Sequence, residues 1–189
     1  MTLSVAILAL VSLQRLGELA IARRNTARLL ARGGVEVGAR HYPLIVALHA
    51  AWLAGLWLLA WDRAADLGWL AAYLVLQALR AWTLLSLGAR WTTRIISLPG
   101  EPLVRRGPYR LFPHPNYAVV VGELAVLPLV FHLPIYAAVF SALNAGVLVI
   151  RIRAEGRALA ASRTPAAELR PGRSAPANGH SPAPPPGTG

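Results

Sequence analysis

The sequence predicts an all-α integral membrane protein with about five transmembrane helices, the last two paired as a helical hairpin. Three observations lead there. Of the 189 residues, 56% are hydrophobic and only 14% charged, with a mean hydropathy of +0.49, too apolar for an ordinary soluble domain. The apolar residues gather into five runs, roughly 2–22, 43–61, 67–88, 117–131 and 134–151. All basic charge is arginine, since lysine is absent, and the arginines stand at the ends of those runs. A net charge of +11 alone suits nucleic acid as well, but this placement is that of membrane-flanking cations, and no nucleic-acid partner is expected.

The first run lacks a basic start and a small-residue cleavage site, and Arg15 and Glu18 interrupt it, so it reads as a retained helix rather than a signal peptide. The second and third are long enough for about 30 Å of hydrocarbon. The fourth and fifth are short. Phe131-His132-Leu133-Pro134 leaves almost no loop between them, and Pro134 suits the first turn of the returning arm. Trp52, Trp57, Trp61 and Trp69 fit an interface belt at the outer ends of the second and third helices.

Arginine placement predicts the orientation. Segment 23–40 holds Arg23, Arg24, Arg28, Arg32 and Arg40, and segment 89–113 holds Arg90, Arg94, Arg105, Arg106 and Arg110. Arg151, Arg153, Arg157, Arg163, Arg170 and Arg173 follow the fifth run, whereas the opposite loops offer Arg63 beside Asp62 and Asp66. With the N-terminus outside and the C-terminus cytoplasmic, every arginine-rich piece lies inside. Residues 1–162 therefore read as one polytopic membrane domain. Residues 163–189, rich in Pro, Gly, Ala and Ser, read as a disordered tail that cannot bury an apolar face. There is no cysteine for a disulfide or thiolate site, no phosphate-binding glycine loop, and no metal-spaced histidine pair. The arginine-only basic set with abundant Ala, Gly and Pro suggests a GC-rich bacterial genome.

Chemistry concentrates in one cassette, Gly107-Pro108-Tyr109-Arg110-Leu111-Phe112-Pro113-His114-Pro115-Asn116-Tyr117. Its three prolines forbid a regular helix, and irregular backbone at a membrane surface is tolerated where it lines a polar cavity. A proline elbow that merely introduces the fourth helix explains the same residues. Past the hairpin stands Arg151-Ile152-Arg153-Ala154-Glu155, which the returning arm brings back to the cassette's side of the membrane. Inside the spans, Arg15 and Glu18 read as helix-to-helix glue, and Gln77 and Arg80 as groups that pair with another helix. Glu123 either orients a substrate or neutralises Arg80. His49 reads as a hydrogen-bonded helix contact rather than a base, and Asn144 as a bond across the hairpin.

Leu103-Val104-Arg105-Arg106-Gly107-Pro108-Tyr109, His114-Pro115-Asn116-Tyr117, and Arg151 with Glu155 together resemble the isoprenylcysteine carboxyl methyltransferase family. The resemblance covers about 90–160. The longer string from Arg90-Trp91-Thr92-Thr93-Arg94 to Glu155 is most similar to a bacterial branch of alkylpyrone O-methyltransferases associated with type III polyketide synthases. It implies an integral membrane enzyme, in a bacterial cell membrane, that uses S-adenosyl-L-methionine at the cytoplasmic face and methylates a lipophilic acceptor. It assigns cofactor contacts to Glu101, Pro102, Leu103, Val104, Tyr109, His114, Pro115, Asn116, Tyr117 and Glu155. It assigns substrate positioning to Arg151; Glu123, from its place inside the fourth run, is a second catalytic candidate.

The chain departs from the family pattern twice: Pro113 stands where an arginine is usual, and Gly156 where a second acid follows Glu155. Two other classes stay open. An NADPH-dependent reductase of sterol-reductase type carries a similar His-Pro-Asn-Tyr string, usually with Gly-Glu directly after the tyrosine. Here Gly122-Glu123 follows only after Ala118–Val121. A non-catalytic membrane scaffold would account for Pro113 and Gly156.

Overall fold

The computed structural model describes residues 2–99, 101–102, 104–112 and 114–163, with the backbone alone at 2, 155 and 157–163. Of the expected tail, 163–189, Arg163 ends α5 and residues 164–189 lie outside the described residues. Five helices dominate: α1 (Thr2–Ala31), α2 (Tyr42–Ala60), α3 (Leu67–Leu87), α4 (Pro115–Val130) and α5 (Pro134–Arg163). Two short strands, β1 (Val35–Val37) and β2 (Ile95–Ser97), stand between them. Apolar length divides the helices into two kinds. Leu3–Ala31, Ala39–Ala60, Leu67–Arg90 and Pro134–Ala154 are each long and apolar enough to cross a membrane. The 16 residues of α4 reach about 24 Å at 1.5 Å per residue, short of a hydrocarbon core of about 30 Å. The protein is an all-α integral membrane protein.

The expectation that the fifth run is short is corrected: α5 has 30 residues. Its apolar stretch gives way at Arg151, but Ala, Arg and Glu favour helix and carry it onward. For the same reason α1 runs nine residues beyond its apolar run, to Ala31. The hairpin itself is present. His132 takes φ 57°, and Phe131 and Leu133 donate their backbone N–H groups to Pro128 O at 3.0 Å, reversing the chain within three residues.

The dense core lies at one end of the bundle. Ile7, Leu8, Trp52, Leu56, Leu124 and Phe131 pack there, from the start of α1 and the ends of α2 and α4. Trp52 is 1% exposed in that core, so it is no belt residue. Trp57 turns inward too, donating to Ser12 Oγ at 3.0 Å, while Trp61 and Trp69 are exposed as a belt requires. At this end Asp66 caps α3, its Oδ1 accepting from the N–H of Gly68 at 2.8 Å and of Trp69 at 3.0 Å. Leu10, Leu58, Leu74 and Leu85 point outward, as a lipid-facing surface demands.

At the opposite end the arginine-rich segments are knitted together. β1 and β2 pair antiparallel with Glu36 opposite Ile96, joining the segment after α1 to the segment after α3. Arg94 bonds both Glu36 oxygens, and this carboxylate holds the guanidinium pKa further above its ordinary value. Asn25 of α1 donates to Trp91 O at 2.9 Å, and the far part of α5 packs against both strands. Gly107, at φ 55°, lies so close to α3 that a Cβ there would strike Ser86 Oγ.

Candidate functional site

Between the dense core and the knitted end lies a cavity of about 330 Å³. Its rim is polar: Tyr42 from α2, Thr92 and Thr93 before β2, Asn116 and Tyr117 from α4, and Arg151 from α5. Apolar side chains such as Ile45, Leu53, Val120, Val147 and Leu148 form its walls. Leu16 and Val46 also line it yet are 64% and 44% exposed, so the cavity reaches the lipid-facing surface.

The hairpin brings cassette and returning arm together. Tyr117 OH accepts from Arg151 Nε at 3.0 Å, and the guanidinium lies 5.5 Å from the Tyr117 ring centroid. His114, the N-cap of α4, stacks on Tyr117 with centroids 5.1 Å apart. Pro115 opens the helix and is buried, which fixes where Asn116 and Tyr117 enter the cavity. Asn116 Oδ1 is buried without a hydrogen-bond partner among the described residues. An acceptor left unsatisfied in this position fits a ligand that brings N–H or O–H groups.

Other predicted residues sit apart. Glu101 bonds Arg32 and Arg90, and Arg90 also donates to Pro102 O at 2.7 Å. Among the described residues Glu101, Pro102, Val104, Tyr109 and His114 do not line the cavity. Leu103, Pro113 and the Glu155 side chain lie outside the described residues. Gly156 is exposed on α5, with open space around it.

Below the rim runs a buried charge network. Arg80 bonds Glu18 at 2.6 Å through Nε and Glu123 at 2.8 Å, while Arg15 bridges the same acids at 3.1 and 2.9 Å. Gln77 donates to Glu123 at 2.8 Å, and Gln14 reaches both Gln77 and Glu18. Two cations and two anions from α1, α3 and α4 thus neutralise one another. Glu123 is fully buried in this network and is not among the cavity-lining residues, whereas Arg15, Glu18 and Arg80 are. Asn144 is corrected: among the described residues it makes no bond across the hairpin, and it is buried against the cavity. The sequence left Tyr42 unremarked. Its OH lies 3.0 Å from Thr93 Oγ1 and its ring lies under Arg94, and an aromatic before Pro43 at the head of a span was its one signal.

The sequence has relatives. The model of the isoprenylcysteine carboxyl methyltransferase family matches residues 69–161, from α3 through the hairpin. YpbQ, an uncharacterized protein of Bacillus subtilis (strain 168), is 39% identical over 158 residues, 81% of this chain and 94% of that protein. The chain belongs to the isoprenylcysteine carboxyl methyltransferase family. It is therefore an integral membrane methyltransferase that uses S-adenosyl-L-methionine and acts on a lipophilic acceptor. The family match includes the hairpin, the cassette and Arg151 but not α1 and α2, which supply much of the cavity wall. No solved structure matches the chain.

Proposed function

We propose that the cavity between Tyr42, Asn116, Tyr117 and Arg151 is the methyl-transfer site, with a long-chain alkylpyrone or related polyketide hydroxyl or carboxyl group as acceptor. The observation that supports this reading most is one volume that combines a polar rim with an apolar wall reaching the lipid surface. A cofactor with carboxylate, ammonium and adenine suits the rim, and a hydrocarbon chain suits the wall. When bound, the cofactor supplies a methyl group activated by a positively charged sulfur.

The chain's own residues then position and exclude. Asn116 Oδ1 accepts from the cofactor, the His114–Tyr117 stack offers an aromatic face to adenine or sulfonium, and Glu155 accepts from ammonium or ribose. Glu101, Pro102, Leu103, Val104 and Tyr109 shape the approach from the aqueous side, with Glu101 acting through its arginine clamp. Arg151 spends its Nε on Tyr117 and keeps its remaining N–H groups for an anionic acceptor oxygen. Apolar walls keep water from competing as nucleophile.

In this reading residues 1–162 form the membrane domain, the N-terminus is outside, and the site faces the cytoplasm of a bacterial cell membrane. A type III polyketide synthase is the functional partner that makes the acceptor. The test uses purified full-length chain: calorimetric titration with S-adenosyl-L-methionine and with NADPH, then transfer of labelled methyl to a long-chain alkylpyrone. Binding of the methyl donor alone, followed by label in the lipid, is the expected result. NADPH binding without methyl-donor binding would sink the proposal.

A further inference from the structure

Two groups lining the cavity below its rim keep an atom without a protein partner among the described residues, one an acceptor and one a donor. The acceptor is His49, which lies seven residues into α2 from Tyr42, about 10 Å along the axis. The Nδ1 of His49 is 2.8 Å from Ile45 O, and since a carbonyl can only accept, Nδ1 carries the proton. Neutral imidazole then presents a lone pair at Nε2, and among the described residues nothing donates to it. The Arg15 Nε is likewise buried and unpartnered, although the rest of that guanidinium is paired with Glu18 and Glu123. A fixed tautomer with an unused lone pair, in a cavity that an unused donor's side chain also lines, fits a ligand bearing both a hydroxyl and an acceptor oxygen.

We propose that His49 is the general base for a hydroxyl-bearing acceptor, its Nε2 taking the O–H proton as that oxygen is methylated. The inference rests on the assignment of this cavity as the methyl-transfer site and selects among its acceptors. A carboxylate is already anionic near neutral pH and has no proton to remove, so a base would be idle there. A phenol, protonated near neutral pH, gives its proton to Nε2, and the oxygen's electron pair forms the new O–CH3 bond. The electrons of the broken S–CH3 bond stay on sulfur, which departs as a neutral thioether. Arg15 Nε donates to the neighbouring acceptor oxygen and holds the ring in register.

The test compares a long-chain alkylresorcinol, which must lose a proton, with a long-chain fatty acid, which need not, using the full chain in lipid. In wild type, resorcinol methylation should fall on the acid side as Nε2 protonates. The groups around His49 are Arg15 and Glu18 of α1, Arg80 of α3, Glu123 and Tyr117 of α4, Arg151 of α5, and Tyr42. Of these side-chain types only imidazole ordinarily changes charge between pH 5 and 8, so the acid limb is assigned to His49. His49→Gln should lower resorcinol kcat by about 100-fold or more, remove that limb and leave methyl-donor binding unchanged. Without cofactor, the same variant should bind alkylresorcinol about two- to tenfold more weakly and fatty acid as before. Added imidazole should restore resorcinol transfer to His49→Ala, which a loss of folding would not allow. Unchanged resorcinol turnover and affinity in His49→Gln would overturn the proposal. Wild type that methylates the fatty acid alone would overturn it too, while leaving the methyl-transfer site in place. Failure of wild type to bind the methyl donor would bring down the site and this inference together.

Discussion

Single side chains at the rim do separable work. Arg151 is held by Tyr117 through Nε, and in the proposed site its other N–H groups, unbonded among the described residues, receive the acceptor oxygen. Arg151→Ala should therefore raise the acceptor KM or lower kcat by ten- to a hundredfold, at about 1.5–3 kcal/mol for a charge-assisted bond, while methyl-donor affinity stays within about twofold. Equal loss of donor affinity, read by calorimetry, would place Arg151 on the cofactor instead. Gly107 tests the backbone beneath the rim. Its φ of 55° and its closeness to Ser86 mean that Gly107→Ala adds left-handed strain of roughly 1–2 kcal/mol to a steric conflict. Thermal unfolding in detergent should show a lower midpoint, and an unchanged one would mean the turn is free to relax.

At the scale of elements, α3 and α4 are set against each other by a cap and a close approach. Asp66 accepts two backbone N–H bonds at the start of α3, and its own N–H donates to Val130 O at 2.8 Å at the end of α4. Asp66→Ala removes the first two bonds and keeps the third, so a loss of about 1 kcal/mol is expected in detergent unfolding. Asp66→Asn should recover most of it, because Asn caps as well as Asp. The two strands tie the segments after α1 and α3 into the wall against which α5 ends. Their signal in the sequence is weak: three residues each, too few for alternation to rise above chance.

Across the whole molecule, the charge network joins α1, α3 and α4 in addition to the apolar core they share. Arg80→Leu would leave Glu18 and Glu123 with Arg15 as their one cation, and a loss of about 3–5 kcal/mol is expected. Arg80→Leu combined with Glu123→Leu leaves the Arg15–Glu18 pair neutral and should lose less than the single change. A single variant as stable as wild type in denaturant titration would show that water already reaches the network. Orientation is tested at the same scale. Arg106→Cys should react with an impermeant thiol reagent applied from the cytoplasmic side of membrane vesicles, and reaction from the outer side would reverse the proposed topology.

Apolar length, arginine placement and the proline-braced cassette are local properties, and they determined the membrane class, the helical hairpin and the return of Arg151 to the cassette. Family membership was legible for the same reason, since short strings at fixed spacing survive without any knowledge of packing. Tertiary structure alone decided the rest. Whether Trp52 faces lipid or core depends on neighbours from α1 and α4, which a tryptophan count cannot supply. Arg15, Glu18, Arg80 and Glu123 form one neutral network only because three helices meet at one depth. His49 bonds Ile45 O within its own helix, but the cavity it lines exists only because α1, α3, α4 and α5 pack around α2. Contacts between segments distant in the chain leave no period in the sequence, so they become visible only once the helices are packed.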